Sequence, residues 1–441
     1  EQDDLHNKKK NFEKAHTCLL ECNDLLKNNE NILNGIALVQ VELKNFSEAK
    51  KFFIQSLSID ITQYNTHLNL GKCNEVLDLE NESLMNYNAA LKYQPQLVDA
   101  LVNRALILQR QKQWFEAKKD MEHAISIEEA LNNNGIEELY FAMSNILSDI
   151  DDNENAKYFI DKALTAKPDD VRYKLTQGTI LLHLGEPKEN LISFYKDILK
   201  DHPGSSGVIC NLGFVYMHHN EFVLAEKYFV SALALNNQNF DAMHNLGNVQ
   251  LSIGNFEEGW KNYEARHQIN RLAGHSLLKS IPEWTSASSN NNNTLIWGEQ
   301  GIGDQILYSS MISEHFFDPS NTTIAVHKKI VALFKKMFPK YTIVSLDTLG
   351  EIREKFDTQI VIGNLGKYLR LHIDDFKDKS YNVTIAKSIY KKKKKFLCGI
   401  SWKSNAGRDK SCALEELLPL LSLKNIEFVN LQYGDVSEEL A

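Results

Sequence analysis

Seven small residues recur along the chain at almost constant intervals: Ala37, Gly71, Ala105, Ser144, Gly178, Gly213 and Gly247, in steps of 34, 34, 39, 34, 35 and 34. A second series follows twelve residues behind, through Ala49, Ser83, Ala117, Ala156, Asn190, Ala225 and Gly259, and Ala15 extends it by one half-unit at the start. A third trails by seven more, with Ser56, Ala90, Ala124, Ala163 and Ala232. A period of this length describes one supersecondary unit that cannot bury its apolar face alone and must stack on copies of itself. Two antiparallel helices per unit approach closely only where side chains are small, so the three series mark the contact notches. Aromatic and aliphatic residues around them, as in NFSEAKKFFIQSLSID and EFVLAEKYFVSALALN, fill the grooves. Pro95, Pro168 and Pro203 stand where second helices should stop.

The pattern resembles the tetratricopeptide repeat, and it assigns residues 1–270 to an all-α superhelical solenoid. The 39-residue step places about five extra residues near EEALNNNGIEE, and Asp197 interrupts the third series, which predicts a looser repeat there. The last unit, NFEEGWKNYEARHQINRL, keeps Gly259 but carries Arg266 where a small residue belongs, so its second helix should face a different neighbour.

A repeat stack offers a groove lined by its first helices. Two positions ahead of the first small residue stand Asn69, Asn103, Asn211 and Asn245, interrupted by Gly35, Ala142 and Thr176. One amide per repeat can grip the backbone of an extended peptide without sequence preference, since each both donates and accepts. The same amides can instead tie neighbouring repeats together. The series resembles the asparagine ladder of the protein O-GlcNAc transferases, and that resemblance implies a protein or peptide partner.

Residues 271–293, including SIPEWTSASSNNNN, combine Pro, Ser and Asn as a linker would. Beyond them the period changes. NTLIWGE, TTIAVHK, YTIVSL, TQIVIGN, FLCGISW and IEFVNLQ are apolar runs of strand length, several of them separated by helical stretches. That alternation predicts a parallel sheet with helices on both faces, an α/β Rossmann-like architecture. Ligands in such sheets bind at the carboxyl ends of strands, where GEQGIGD falls.

Gly298, Gly301, Gly303 and Asp304 do not fit a phosphate cradle. A P-loop requires Lys-Ser/Thr after its last glycine, where Asp304-Gln305 stands, and a dinucleotide fingerprint requires a glycine where Ile306 stands. The charge of Asp304 would also repel a phosphate at that helix start. A carboxylate there, held anionic by the helix dipole, can take a proton from an attacking hydroxyl, with the glycines letting an acceptor approach the backbone. It can equally serve as a helix cap.

WGEQGIGDQILYSSMI, GISWKSNAGRDKSCALEELLPLL and VNLQYGD together resemble the repeat-fused bacterial glycosyltransferases related to the lipopolysaccharide heptosyltransferases. The resemblance, over residues 260–441, implies a GT-B fold, with the first Rossmann-like half at 294–390 and the start of a second at 391–441. It implies Asp304 as catalytic base, and Lys410 with Ser411, or nearby Lys403, as contacts to the donor diphosphate. A solvated basic loop is the other reading of those lysines. The implied activity is hexosyl or heptosyl transfer from a nucleotide-sugar to a hydroxyl acceptor, without a metal or other cofactor. The family's second half runs well past residue 441, so the expectation is a C-terminally truncated, inactive piece, and an interaction scaffold is the alternative.

Composition narrows the remaining classes. A net charge of −9 disfavours a nucleic-acid binder that works by phosphate neutralisation. No apolar run reaches the roughly 18 residues of a membrane span. Six cysteines without CxxC spacing, among them Cys18 and Cys22 four apart, point to reduced thiols and a cytoplasmic protein.

Overall fold

First and second helices alternate as the period requires. The computed structural model describes residues 2–26, 29–131, 135–269, 278, 280–288, 292–299, 301–312, 315–376, 396–400, 414–423 and 426–430. The chain divides into two compact units, Glu1–Gly185 and Glu186–Ala441. The first contains α1 (Gln2–Leu25), α2 (Glu30–Glu42), α3 (Phe46–Ile59), α4 (Tyr64–Val76) and α5 (Glu80–Tyr93). It continues with α6 (Val98–Arg110), α7 (Trp114–Leu131), α8 (Ile136–Asp149), α9 (Asn153–Ala166) and α10 (Val171–His183). The second opens with α11 (Lys188–Asp201), α12 (Ser206–His218), α13 (Phe222–Leu235), α14 (Phe240–Ser252), α15 (Phe256–Tyr263) and α16 (Arg266–Ile269). The division therefore falls between the two helices of one repeat, well inside the span 1–270 that the period assigns to a single domain.

The notches work as the small-residue series predicts. Ala37, Ala105 and Ser144 are fully buried, as are Ala49, Ala117, Ala156 and Ala225. A Cβ added to Gly71 would lie 2.5 Å from the ring of Tyr87, and one on Gly213 would lie 2.9 Å from that of Phe229. Both rings come from the position sixteen residues on, which is likewise buried at Phe53, Met121 and Ile160. The repeat beginning at α10 departs from this register. Asn190 is exposed and Leu191 fully buried, Tyr195 is buried in place of Phe194, and Ile198 replaces Asp197. One extra residue in the turn shifts α11 by one position, so Leu191 rather than Asn190 takes the buried place, and Asp197 lies on the exposed face.

A third periodic feature closes every first helix. Lys44, Asp78, Lys112, Asp151, Gly185, Asn220 and Gly254 all have positive φ, between 58° and 86°, and follow the same steps as the notches. At the end of α2, Asn45 N–H donates to Gln40 O and Lys44 N–H to Val41 O, the paired bonds of a Schellman cap.

Past α16 the second unit becomes α/β. Strands β1 (Thr294–Trp297), β2 (Thr322–Val326), β3 (Thr342–Ser345) and β4 (Thr358–Val361) form an all-parallel sheet in the order β3-β2-β1-β4. Alternate residues of β1 face opposite layers, as a two-residue pleat dictates. Ile296 joins Phe317, Ile324, Phe334 and Ile360, whereas Leu295 and Trp297 join Leu278, Ala325, Leu349 and Val361. Helices α17 (Ile302–Tyr308) and α18 (Val331–Met337) follow β1 and β2, α19 (Leu349–Ile352) follows β3, and α20 (Gly366–Leu369) follows β4.

Residues 278 and 280–288, expected within a linker, are instead part of this unit. Trp284 is buried against Phe317, its N–H donates to Gln359 O at 2.7 Å, and Glu283 bridges Gln359 in parallel beside β4. The polar Ser and Asn residues around the tryptophan hid that contact from sequence reasoning. Further on, β5 (Phe396–Ile400) and β6 (Ile426–Asn430) pair in parallel, with α21 (Leu418–Leu421) between them in sequence. No helix among the described residues is long and apolar enough to cross a membrane.

Candidate functional site

The glycine loop leaves the carboxyl end of β1, between β2 and β4, at the point where strand order reverses. Its glycines serve different needs. A Cβ on Gly298 would lie 2.5 Å from the amide of Gln305, which is buried and accepts from His327 N–H at 3.0 Å beyond β2. Gly301 and Gly303 are exposed, and a Cβ on Gly303 would meet nothing within 4 Å. Asp304 occupies the third position of α17, and its Oδ2 accepts from Gly301 N–H at 3.1 Å. This is the reach-back arm of a capping box, and glycine has no side chain to reciprocate.

Between Gly298 and Gly301 lies a residue that the sequence analysis passed over. The Glu299 side chain is fully buried and forms a bidentate ion pair with Arg266, the residue that interrupts the small-residue pattern. Arg266 Nη2 also donates to Asn364 Oδ1 at 2.7 Å, and Nη1 to Tyr263 O at 3.0 Å. Asn364 follows β4, so one guanidinium joins the loops on both sides of the reversal point. The signal available in the sequence was a pair of charges out of place, an arginine at a packing notch and a glutamate within an apolar glycine loop.

Neighbouring contacts extend the junction. Lys367 donates to Glu264 at 2.6 Å and Glu283 at 3.1 Å; burial opposes its charge, but these bonds outweigh burial and push its pKa upward. Trp260 Nε1 donates to Arg370 O at 2.9 Å, and its ring lies where a side chain on Gly366 would have to go. The hydroxyls of Tyr263 and Tyr308 are 2.9 Å apart; burial first, and then this bond, push the Tyr308 phenol up. His244 packs its ring 5.3 Å from that of Tyr263, and its pKa is lowered by burial and by the charge of Arg266.

The four asparagines sit on first helices and are half-buried, Asn69 on α4 and Asn103 on α6 in the first unit, Asn211 on α12 and Asn245 on α14 in the second. Asn211 Nδ2 donates to the Tyr195 hydroxyl at 3.4 Å, and the Asn245 side chain bonds the thiol of Cys210. These two amides thus have bonds within the stack. Lys403, Lys410 and Ser411 lie outside the described residues.

Residues 97–137 and 137–170 each match a tetratricopeptide repeat family model. The chain carries tetratricopeptide repeats. It is 26% identical over 311 residues to Protein FlbA of Caulobacter vibrioides, a match covering 63% of this chain and 52% of that one. It is 22% identical over 245 residues to the Protein O-mannosyl-transferase TMTC3 of Homo sapiens, covering 55% of this chain and 24% of the relative. The tetratricopeptide chain thus spans about half or less of the length of these relatives. A solved tetratricopeptide repeat protein from Parabacteroides merdae superposes with a TM-score of 0.43 at 14% identity, over 56% of this chain and 98% of that one.

Proposed function

We propose that the repeats bind protein and that the α/β part is the acceptor-side half of a GT-B glycosyltransferase, which moves a sugar from a nucleotide-sugar to a hydroxyl on the bound protein. The observation that supports this most is the position of Asp304, in the first turn of the helix that follows β1, beside the exposed Gly301 and Gly303 at the carboxyl end of that strand. In this reading the acceptor oxygen attacks the anomeric carbon and its proton passes to the Asp304 carboxylate. The nucleoside diphosphate departs with the electrons of the glycosidic bond, and Lys410, Ser411 and Lys403 answer its growing charge. The human relative is named a protein O-mannosyl-transferase, which is in keeping with sugar transfer to protein.

Incubating the full-length gene product with nucleotide-sugars and candidate acceptor proteins tests the proposal. Asp304→Asn should reduce transfer by about 10²-fold or more with donor affinity nearly unchanged. Turnover at the wild-type rate in that variant removes Asp304 as the base. Lys410→Ala should abolish donor binding.

A second reading, a non-catalytic interaction scaffold, draws on a different observation: Asp304 caps its own helix, and the reversal point of the sheet is filled by protein side chains. Absence of saturable nucleoside diphosphate binding by the full-length product would favour it.

A further inference from the structure

The crevice outside the carboxyl ends of neighbouring strands, where strand order reverses, is where open parallel sheets take their ligands. In this protein that position lies between the loops that follow β1 and β4. We propose that this crevice is a guanidinium-binding site and that Arg266, reaching in from the last repeat, is the ligand it holds in cis.

The fittings of the crevice are specific to that group. The β1 loop contributes both carboxylate oxygens of Glu299 and the β4 loop contributes Asn364 Oδ1, while the carbonyl of Tyr263, from the same repeat as Arg266, takes the remaining terminal nitrogen. All are acceptors, arranged around a planar cation that offers five donors in a fixed fork. The ring of Tyr263 lies 4.3 Å from the guanidinium carbon, adding a π-face. Gly363 leaves room for it, since a Cβ there would lie 2.8 Å from Arg266 Nη2 and collide with Glu299. Arg266 is 1% exposed, so the site is sealed. An ammonium has no fork, so a lysine at 266 cannot present two parallel donors to Glu299 while reaching Asn364.

On this account the sheet keeps a ligand site and the repeat array supplies the ligand, which fixes the glycine loop relative to the last repeat. The inference does not depend on sugar transfer, and its test needs no donor. The test is hydrogen exchange on the full chain carrying Arg266→Ala. Amides of residues 294–299 and 358–366 should exchange at least about tenfold faster than in the wild type, with α2–α9 unchanged. Methylguanidinium should restore their protection saturably in the millimolar range, as suits so small an ion, whereas methylammonium at equal ionic strength should not. Unchanged exchange, restoration without saturation, or equal restoration by methylammonium would overturn the proposal. Should the alanine variant fail to fold, Arg266→Lys decides: faster exchange in the same two segments supports the site, and wild-type protection refutes it.

Discussion

Glu299 and Arg266 are 4% and 1% exposed, so each depends on the other rather than on water to answer its charge. Removing one member of a buried pair leaves the second uncompensated, whereas apolar replacement of both often costs little. Glu299→Ala should therefore lose about 3–5 kcal/mol in a urea titration, and Arg266→Met combined with Glu299→Met should recover most of it. His244 gives a pH signature. Its folded pKa lies below the ordinary 6.5, so the unfolded chain binds the proton more readily and stability falls as pH drops through 6.5 toward the folded value. Thermal melts of the wild type between pH 7.5 and 5.5, roughly the interval in which an ordinary histidine titrates, should show this loss, and His244→Gln should reduce it. The thiols should separate by burial. Desolvation pushes Cys73 to about 11 and Cys210 to about 12, while Cys18 and Cys22 are exposed. A thiol-specific reagent at about pH 8 should modify the latter pair in the native protein and reach Cys73 and Cys210 only on unfolding, as read by peptide mass spectrometry.

Helix termination is the clearest feature at the scale of elements. Five residues with side chains, Lys44, Asp78, Lys112, Asp151 and Asn220, occupy left-handed positions at which glycine carries no steric penalty. Lys112→Gly should therefore leave stability unchanged or raise it by up to about 1 kcal/mol, and Lys112→Val should lower it by about 1–2 kcal/mol, in chemical denaturation. The notch series was legible because close helix approach tolerates few residue types, so Ala37, Gly71 and Ala105 announce themselves. The turn series was not, because its position accepts Lys, Asp, Asn or Gly and leaves no compositional trace. The slip at α11 escaped for a related reason, since Asn190 sits at the expected count while Leu191 is the buried residue. The strands were legible from their apolar runs, but their order β3-β2-β1-β4 and the bridge at Glu283 depend on distant pairings that local pattern does not encode. Of the candidate site, Asp304 and its glycines stood out by type and spacing. Glu299 acquires its meaning only from a partner thirty-three residues away.

For the whole molecule, the two compact units imply two unfolding events rather than one. Stability in repeat proteins sums over local units and their interfaces, so a local insult should stay local. Gly71→Ala drives a Cβ into Tyr87, and Gly366→Ala drives one into Trp260. Each should cost about 1–3 kcal/mol by overpacking. In calorimetry the first should lower only the transition of Glu1–Gly185 and the second only that of Glu186–Ala441; a single shared transition moved by both would contradict this division.

A boundary between α10 and α11 also sets how freely the array can be edited. Repeats upstream of Gly185 should therefore tolerate insertion, deletion or exchange without disturbing the α/β part. The terminal cassette is not interchangeable in that way, because its arginine, tryptophan and tyrosine bond the loops and helices that follow β1 and β4. A chimaera built from foreign repeats should therefore carry 186–269 along with the strands, as one indivisible graft.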